Sequence, residues 1–319
     1  MKIEKVFNGD YVYQMERKFY RWKELRRRNT KKYTFINRQK GTDKMILILA
    51  GFQPYYWDIL LNNIFIANHK KYDVCICIPH GCDENQKLFD IAKKNDWSVL
   101  YLKQDKLGLA QNVAIDLHPK AQKFFKFDED IVVSKTFFDD LEETDELLDD
   151  YDYPVGFIVP MINISMATAK EYLNAAGKME DFENRFGKQK AGSWFFQQTA
   201  ELGKYLLETI GPSYQAQYDQ IHKKNKGRII PVPTRYSIGV MYFTRDFYNG
   251  IQKFAVGIIG DMGLEEEQVC AYCMNRSLAI TCNTSVFACH LGYYPQKELA
   301  KEYFLAHPEI FDISVNGNE

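Results

Sequence analysis

The stretch Phe124-Phe125-Lys126-Phe127-Asp128-Glu129-Asp130-Ile131-Val132-Val133 decides how the chain is read. Strand-forming residues run into three consecutive acids, and a β-branched run follows. Alternate side chains of a strand share a face, so a strand ending in Asp-x-Asp delivers two carboxylates to one edge of a sheet. Hard oxygen ligands on one side of a cleft suit Mg²⁺ or Mn²⁺, which in turn can hold a diphosphate. The plain alternative is a strand followed by an acidic loop, and the surrounding sequence has to decide between the two.

Upstream, Met45-Ile46-Leu47-Ile48-Leu49-Ala50 is a continuous apolar run closed by Gly51, as expected of a strand buried on both faces. The pattern predicts a helix over 57–67, a strand over 72–79, a helix over 88–94, a strand over 97–102 and a helix over 109–117. The strand 124–127 then completes four alternations with short joins, which implies a parallel sheet layered by helices. Ligands of such sheets sit beyond the carboxyl ends of the strands. The segments 51–56, 79–82, 104–108 and 128–130 would gather there.

Residues 136–152 hold nine acids and no Lys or Arg, which reads as a solvated helix or loop. A further strand is expected over 154–160. Residues 161–232 are aromatic and amphipathic but less regular, and suggest an insertion or second lobe. Strand character returns at 237–244. Gly260-Asp261-Met262-Gly263 then breaks the chain before a helix with acids in its first turn, and a last strand covers 279–288.

No 18-residue apolar run is present, and Met1-Lys2-Ile3-Glu4-Lys5 does not begin a signal peptide. Seven cysteines, an odd number, point to reduced thiols and a cytoplasmic setting. The net charge of −1 hides a division: residues 1–44 carry 14 Lys/Arg against 5 Asp/Glu, or +9, which leaves −10 for the remainder. The basic residues alternate with Phe19, Tyr20, Trp22 and Leu25. Such a segment could rest on the inner face of a membrane or touch nucleic acid. The blander expectation, which we prefer, is a solvated basic helix whose aromatics pack on the body. No nucleic-acid partner is expected.

The order of these segments resembles glycosyltransferases of the GT-A fold, in particular the inverting, nucleotide-sugar-dependent enzymes of family 2. Gly108-Leu109-Ala110-Gln111-Asn112 followed by Asp128-Glu129-Asp130 carries the resemblance, over roughly 45–160 and more loosely 236–292. It implies a Rossmann-like, mixed but mostly parallel sheet flanked by helices, with an aromatic-rich insertion on the acceptor side. The divisions expected are a basic segment 1–44, a nucleotide-sugar-binding half 45–160, an insertion or acceptor lobe 161–235, and an acceptor and catalytic half 236–319. The implied activity moves a sugar from a nucleotide donor, UDP-linked in the first instance, to a glycan or lipid-linked acceptor, with Mn²⁺ or Mg²⁺, as in polysaccharide biosynthesis.

The resemblance assigns Asp128 to the nucleotide ribose and metal, Asp130 to the metal, and turns Glu129 away. Gly51, Phe52 and Gln53 would face the nucleobase, with Gly108, Gln111 and Asn112 also on the donor. The family's Pro-x-Tyr/Phe-Asn is replaced by Ala50-Gly51-Phe52-Gln53, and Gln111 stands where an Arg is common, so Lys103 or Lys106 would have to supply the phosphate's counter-charge. An inverting transfer needs a base for the acceptor hydroxyl. Glu266 is the first choice, with Glu265 and Asp261 close behind, although acids also simply favour a helix N-terminus. His290, after the last strand, is a candidate third metal ligand or a structural residue.

Cys270-Ala271-Tyr272-Cys273, with Cys282 and Cys289, invites a zinc reading, but the first pair falls in a helical pattern and core cysteines are preferred. Trp194, Phe195, Phe196, Tyr236 and Tyr242 could stack on sugar rings or fill the core. Two rival functions remain. A nucleotidyltransferase would usually show a basic Gly-rich loop after the first strand, which Gly51-Phe52-Gln53-Pro54 lacks. A binding protein that kept the fold would turn over nothing.

Overall fold

A computed structural model describes residues 9–79, 82–258 and 263–314. A ten-stranded sheet runs through the molecule. Its strands are β1 (Tyr33–Ile36), β2 (Lys44–Leu49), β3 (Asp73–Ile78), β4 (Ser98–Leu102), β5 (Lys123–Asp128), β6 (Ile131–Val132), β7 (Val155–Ile162), β8 (Ile229–Pro231), β9 (Val240–Thr244) and β10 (Ala279–His290). The spatial order is β1-β4-β3-β2-β5-β9-β7-β10-β6, with β8 pairing β10.

β4, β3, β2 and β5 are parallel, joined by helices Trp57–Ala67, Asn85–Lys94 and Leu107–Leu117. Met45 to Ile48 are wholly buried, as a strand covered by helices on both faces requires. Each such apolar side chain contributes about 1.5–3 kcal/mol on burial. β9 enters antiparallel between β5 and β7, and β10 returns parallel to β7. β2, β3, β4, β5, β7 and β10 therefore point one way and β1, β6, β8 and β9 the other, a mixed and mostly parallel sheet.

Three strands escaped the sequence pattern: β1, β6 and β8 are two to four residues long, too short to display a period. The acidic stretch is also less solvated than its composition suggests. It forms the helix Phe137–Leu147, which buries Phe137, Phe138 and Leu141. Its Glu142 accepts from Tyr72 Oη and pairs with Lys44 at 2.8 Å and Lys70 at 2.9 Å.

The irregular stretch after β7 folds into five helices. The last, Tyr214–Asn225, lies on β10, where Tyr214 Oη donates to the Phe287 carbonyl at 2.6 Å. Its aromatics join the same core as the sheet.

The basic segment departs from the preferred expectation. Its helix, Gly9–Arg27, leaves Phe19 50% and Trp22 52% exposed, so these rings do not pack on the body. Polar bonds anchor it instead. Arg28 Nη1 donates to the carbonyls of Ile251, Gln252 and Lys253 at 3.1, 2.8 and 2.8 Å, and Arg21 reaches Gln252 at 2.9 Å. No described helix is long and apolar enough to cross a membrane.

Candidate active site

A cleft of about 720 Å³ opens beyond the carboxyl ends of β2 and β5. Pairing of Leu49 with Asp128 sets those two ends level. Because β9 is antiparallel to β5, its entry at Gly239 reaches the same edge, and Asp128 N–H donates to the Gly239 carbonyl at 2.7 Å.

Asp128 opens into the cleft with its side chain 32% exposed. Its Oδ1 accepts from Lys126 Nζ at 2.6 Å, and the same ammonium donates to the Ile238 carbonyl at 2.5 Å. Burial raises the Asp128 pKa, opposed by Lys126. Asp130 is 6% exposed. Its Oδ2 accepts from Gln53 Nε2 at 3.0 Å, while Oδ1 is buried with no hydrogen bond and faces His290 Nε2 at 3.6 Å.

His290 closes β10. Its backbone is held by Asn163, which accepts its N–H at 2.9 Å and donates to its carbonyl at 3.3 Å. Nδ1 accepts from Gly292 N–H at 3.2 Å, so in the neutral ring, by inference from that contact, the proton sits on Nε2. Nε2 faces Asp130 Oδ1 without a hydrogen bond between them. His290 stays a candidate third ligand beside Asp128 and Asp130; ligation through Nε2 would move the ring proton to Nδ1 and end its contact with Gly292 N–H. A Cβ at position 239 would stand 3.2 Å from His290 Cδ2 and 3.4 Å from Asp128 Oδ2, so glycine lets carboxylate and imidazole approach each other.

The cation question can be tested on these atoms. Asp130 Oδ1 and Asp128 Oδ2 are hard donors at one edge, and the orphaned Oδ1 is what a divalent ion would satisfy. The two carboxylates fit Mn²⁺ or Mg²⁺. Among the described residues no set of three or more His, Cys, Asp or Glu groups is arranged for a metal.

Glu129 is turned into the protein, 4% exposed. Its carboxylate accepts from Gly51 N–H at 2.9 Å, Phe52 N–H at 2.9 Å and Trp57 Nε1 at 2.6 Å. Burial outweighs these donors and pushes its pKa up to about 7. The middle acid therefore ties the β5 edge to the loop after β2. Phe52 and Gln53 reach the cleft, whereas the Gly51 N–H is committed to Glu129.

Gly108, Gln111 and Asn112 are not in the cleft, which corrects their assignment to the donor. Asn112 is fully buried: Nδ2 donates to Phe254 O at 2.9 Å and Arg28 O at 3.3 Å, and Oδ1 accepts from Phe254 N–H at 2.8 Å and Tyr248 Oη at 3.1 Å. Gln111, also fully buried, donates to Leu107 O at 3.3 Å. A Cβ on Gly108 would meet Ala255 O at 2.2 Å. Gly108 and Asn112 hold the helix against 254–255, and Gln111 bonds within its own helix. Neither Lys103 nor Lys106 lines the cleft, and Lys106 Nζ donates to Ile258 O at 3.3 Å.

The cleft's cations are Lys126, Arg235 and Lys297. None was legible: Lys126 sits within an apolar strand, and Arg235 lies in an irregular segment with no period. Arg235 Nε bonds Glu266 Oε1, and its Nη1 lies 3.3 Å from Glu267. Glu266 Oε2 accepts from Ile238 N–H at 3.4 Å. Burial raises the Glu266 pKa, against the pull of Arg235. Glu265 is 5% exposed and lines the same cleft. Both open the helix Leu264–Arg276, whose first turn favours acids. Asp261 lies outside the described residues.

None of the five aromatics named for sugar stacking lines the cleft. Trp194 is exposed elsewhere, Phe196 and Tyr236 are fully buried, and Tyr242 donates to Asp145 at 2.8 Å. The aromatics that line the cleft are Phe52, Tyr293 and Tyr294, with Tyr293 stacked on His290 at 4.7 Å. Cys270, Cys273, Cys282 and Cys289 are free and buried.

No protein-family model and no curated protein sequence matches the chain. Solved structures resemble it. S. aureus TarS aligns at 13% identity and a TM-score of 0.31, over 38% of this chain and 22% of that one. Residues 1–349 of TarS in complex with UDP align with the same identity and score, over 38% and 36%. GalNAc-T7 with UDP, GalNAc and Mn²⁺ aligns at 11% and 0.45, over 82% and 47%. The matched part is less than half of each of those chains, and no activity is carried over from them.

Proposed function

We propose that the cleft binds a nucleotide sugar, UDP-linked in the first instance, and transfers the sugar to a hydroxyl of a glycan or lipid-linked acceptor. The observation that carries this reading is the meeting of two unlike carboxylate sets in one cleft. Asp128 and Asp130 stand at the strand edge, and Glu265 and Glu266 at a helix start, with Lys126, Arg235 and Lys297 among them. The first set suits a donor diphosphate with its divalent cation. The second suits proton removal.

Asp128 and Asp130 would hold Mn²⁺ or Mg²⁺, which when bound supplies Lewis-acid stabilisation of the departing diphosphate. Gln53 and Glu129 fix the approach of the loop after β2, so that Phe52 is presented at the cleft wall. Arg235 and Lys297 add positive charge for the anionic leaving group. Glu266, with its pKa raised by burial, accepts the acceptor's proton as the hydroxyl attacks the anomeric carbon, which inverts that centre. Arg235 holds the carboxylate in place.

A thermal-shift panel of UDP, GDP, ADP and CDP, each with and without Mn²⁺, tests the donor half. A Mn²⁺-dependent rise in melting temperature with UDP is expected, followed by metal-dependent hydrolysis of a UDP-sugar. If no nucleoside diphosphate shifts melting in the presence of Mn²⁺, the reading is wrong.

A further inference from the structure

Residues 13–23 of the helix Gly9–Arg27 all stand in solvent, and an apolar stripe lies among them. Met15, Phe19 and Trp22 lie at i, i+4 and i+7, which puts them on one helical face, and they are 56, 50 and 52% exposed. The side chains that fasten the helix lie on another face. At about 100° per residue, Phe19 stands roughly 160° around the helix from Arg21, which bonds Gln252. Phe19 and Trp22 stack at 6.2 Å. Lys23 lies over Phe19 at 4.6 Å and Arg26 over Trp22 at 5.2 Å, so ammonium and guanidinium groups frame the stripe.

An exposed aromatic–aliphatic stripe of this kind normally covers something. Charge selects the occupant. Residues 1–44 carry +9 and the remainder −10, so an anionic surface attracts this end and repels the rest. Amphipathic Trp, Phe and long basic side chains suit the headgroup boundary of a bilayer, where rings enter the acyl region and cations meet phosphates. We infer that this helix lays its Met15–Phe19–Trp22 face on an anionic lipid surface and holds the protein there peripherally. The inference does not depend on the reading of the cleft.

Co-sedimentation of the full chain with vesicles tests it, using phosphatidylcholine alone or mixed with phosphatidylglycerol. Binding is expected only to the mixed vesicles, and it should weaken as salt is raised. Phe19→Ser with Trp22→Ser should reduce that binding by about tenfold or more. Lys23→Glu with Arg26→Glu, which keeps both rings, should do the same. Neither pair should lower the melting temperature, because these side chains stand in solvent. Failure of the full chain to bind mixed vesicles, or undiminished binding by both variants, overturns the inference. So does a lipid-free dimer, seen by light scattering, that the Phe19/Trp22 variant abolishes. Retention on single-stranded DNA that exceeds retention on mixed vesicles at equal salt would also overturn it.

Discussion

Lys126 and Asp128, two residues apart on one face of β5, form an internal ion pair with Nζ 2.6 Å from Oδ1. The ammonium is 1% exposed and also holds the Ile238 carbonyl at the entry to β9. One carboxylate oxygen is thereby fixed and the other left to the cleft. Lys126→Met keeps the length of the side chain and removes both bonds. It should destabilise the fold by about 2–3 kcal/mol, read as a lower urea midpoint, because a buried carbonyl and a buried carboxylate oxygen lose their partner. A midpoint equal to wild type would mean that the pair contributes nothing.

Asp130→Asn separates charge from shape. The amide oxygen can still accept from Gln53, so the melting temperature should stay within about 3 °C of wild type. Mn²⁺-dependent UDP binding, measured by calorimetry, should weaken by about 100-fold or more, since a hard anionic donor is lost. Undiminished affinity would remove the metal from Asp130.

Glu266→Gln should lower transfer by roughly 10²–10⁴-fold while changing UDP-sugar affinity by less than about threefold. Glu265→Gln and Asp261→Asn are the comparisons. The base acts deprotonated, so kcat/KM should fall as pH drops through a pKa held above the ordinary carboxylate range. Wild-type rates in all three variants would end the inverting-base reading.

Glu129 makes stability depend on pH in an unusual direction. Its folded pKa, about 7, lies above the ordinary 4.5, so between those values the folded state binds more protons than the unfolded chain. Stability should therefore fall as pH rises from about 5 to 7, by up to roughly 3 kcal/mol from this group. Urea unfolding in EDTA at several pH values should show that slope in the wild type and lose it in Glu129→Gln. An unchanged slope in the variant would assign the effect to other groups.

Gly108→Ala distinguishes a structural glycine from a donor-binding one. The new methyl meets a backbone carbonyl, which cannot rotate aside, so a loss of about 2–4 kcal/mol in chemical denaturation is expected. The folded fraction should bind UDP as wild type does. Weaker binding at full stability would restore the donor role.

The sequence made the sheet legible where one period ran long enough: the apolar run of β2 and the alternation through β5 located the edge and its two acids. It did not reveal direction. The resemblance put Asn112 on the donor, yet four hydrogen bonds inside the protein use its amide completely. The resemblance turned Glu129 away from the donor, but it did not reveal that the carboxylate would sit under the loop after β2 and hold the Gly51 and Phe52 N–H groups. Arg235 became visible only in three dimensions, since irregular segments carry no period. So did Lys297, because it opens the helix Lys297–Ala306, whose pattern does not show that its first turn borders the cleft.

Two residues of β6 pair with the last two of β10, and Leu291 N–H bonds the Asp130 carbonyl at 3.0 Å. Asp130 and His290 are thus neighbours only through a contact that closes a loop of about 160 residues, among the slowest kinds to form. During synthesis the first four parallel strands can assemble long before β10 leaves the ribosome. The acidic edge is incomplete until β10 has joined the sheet, so on the proposed reading nucleotide binding would report that this long-range contact has formed.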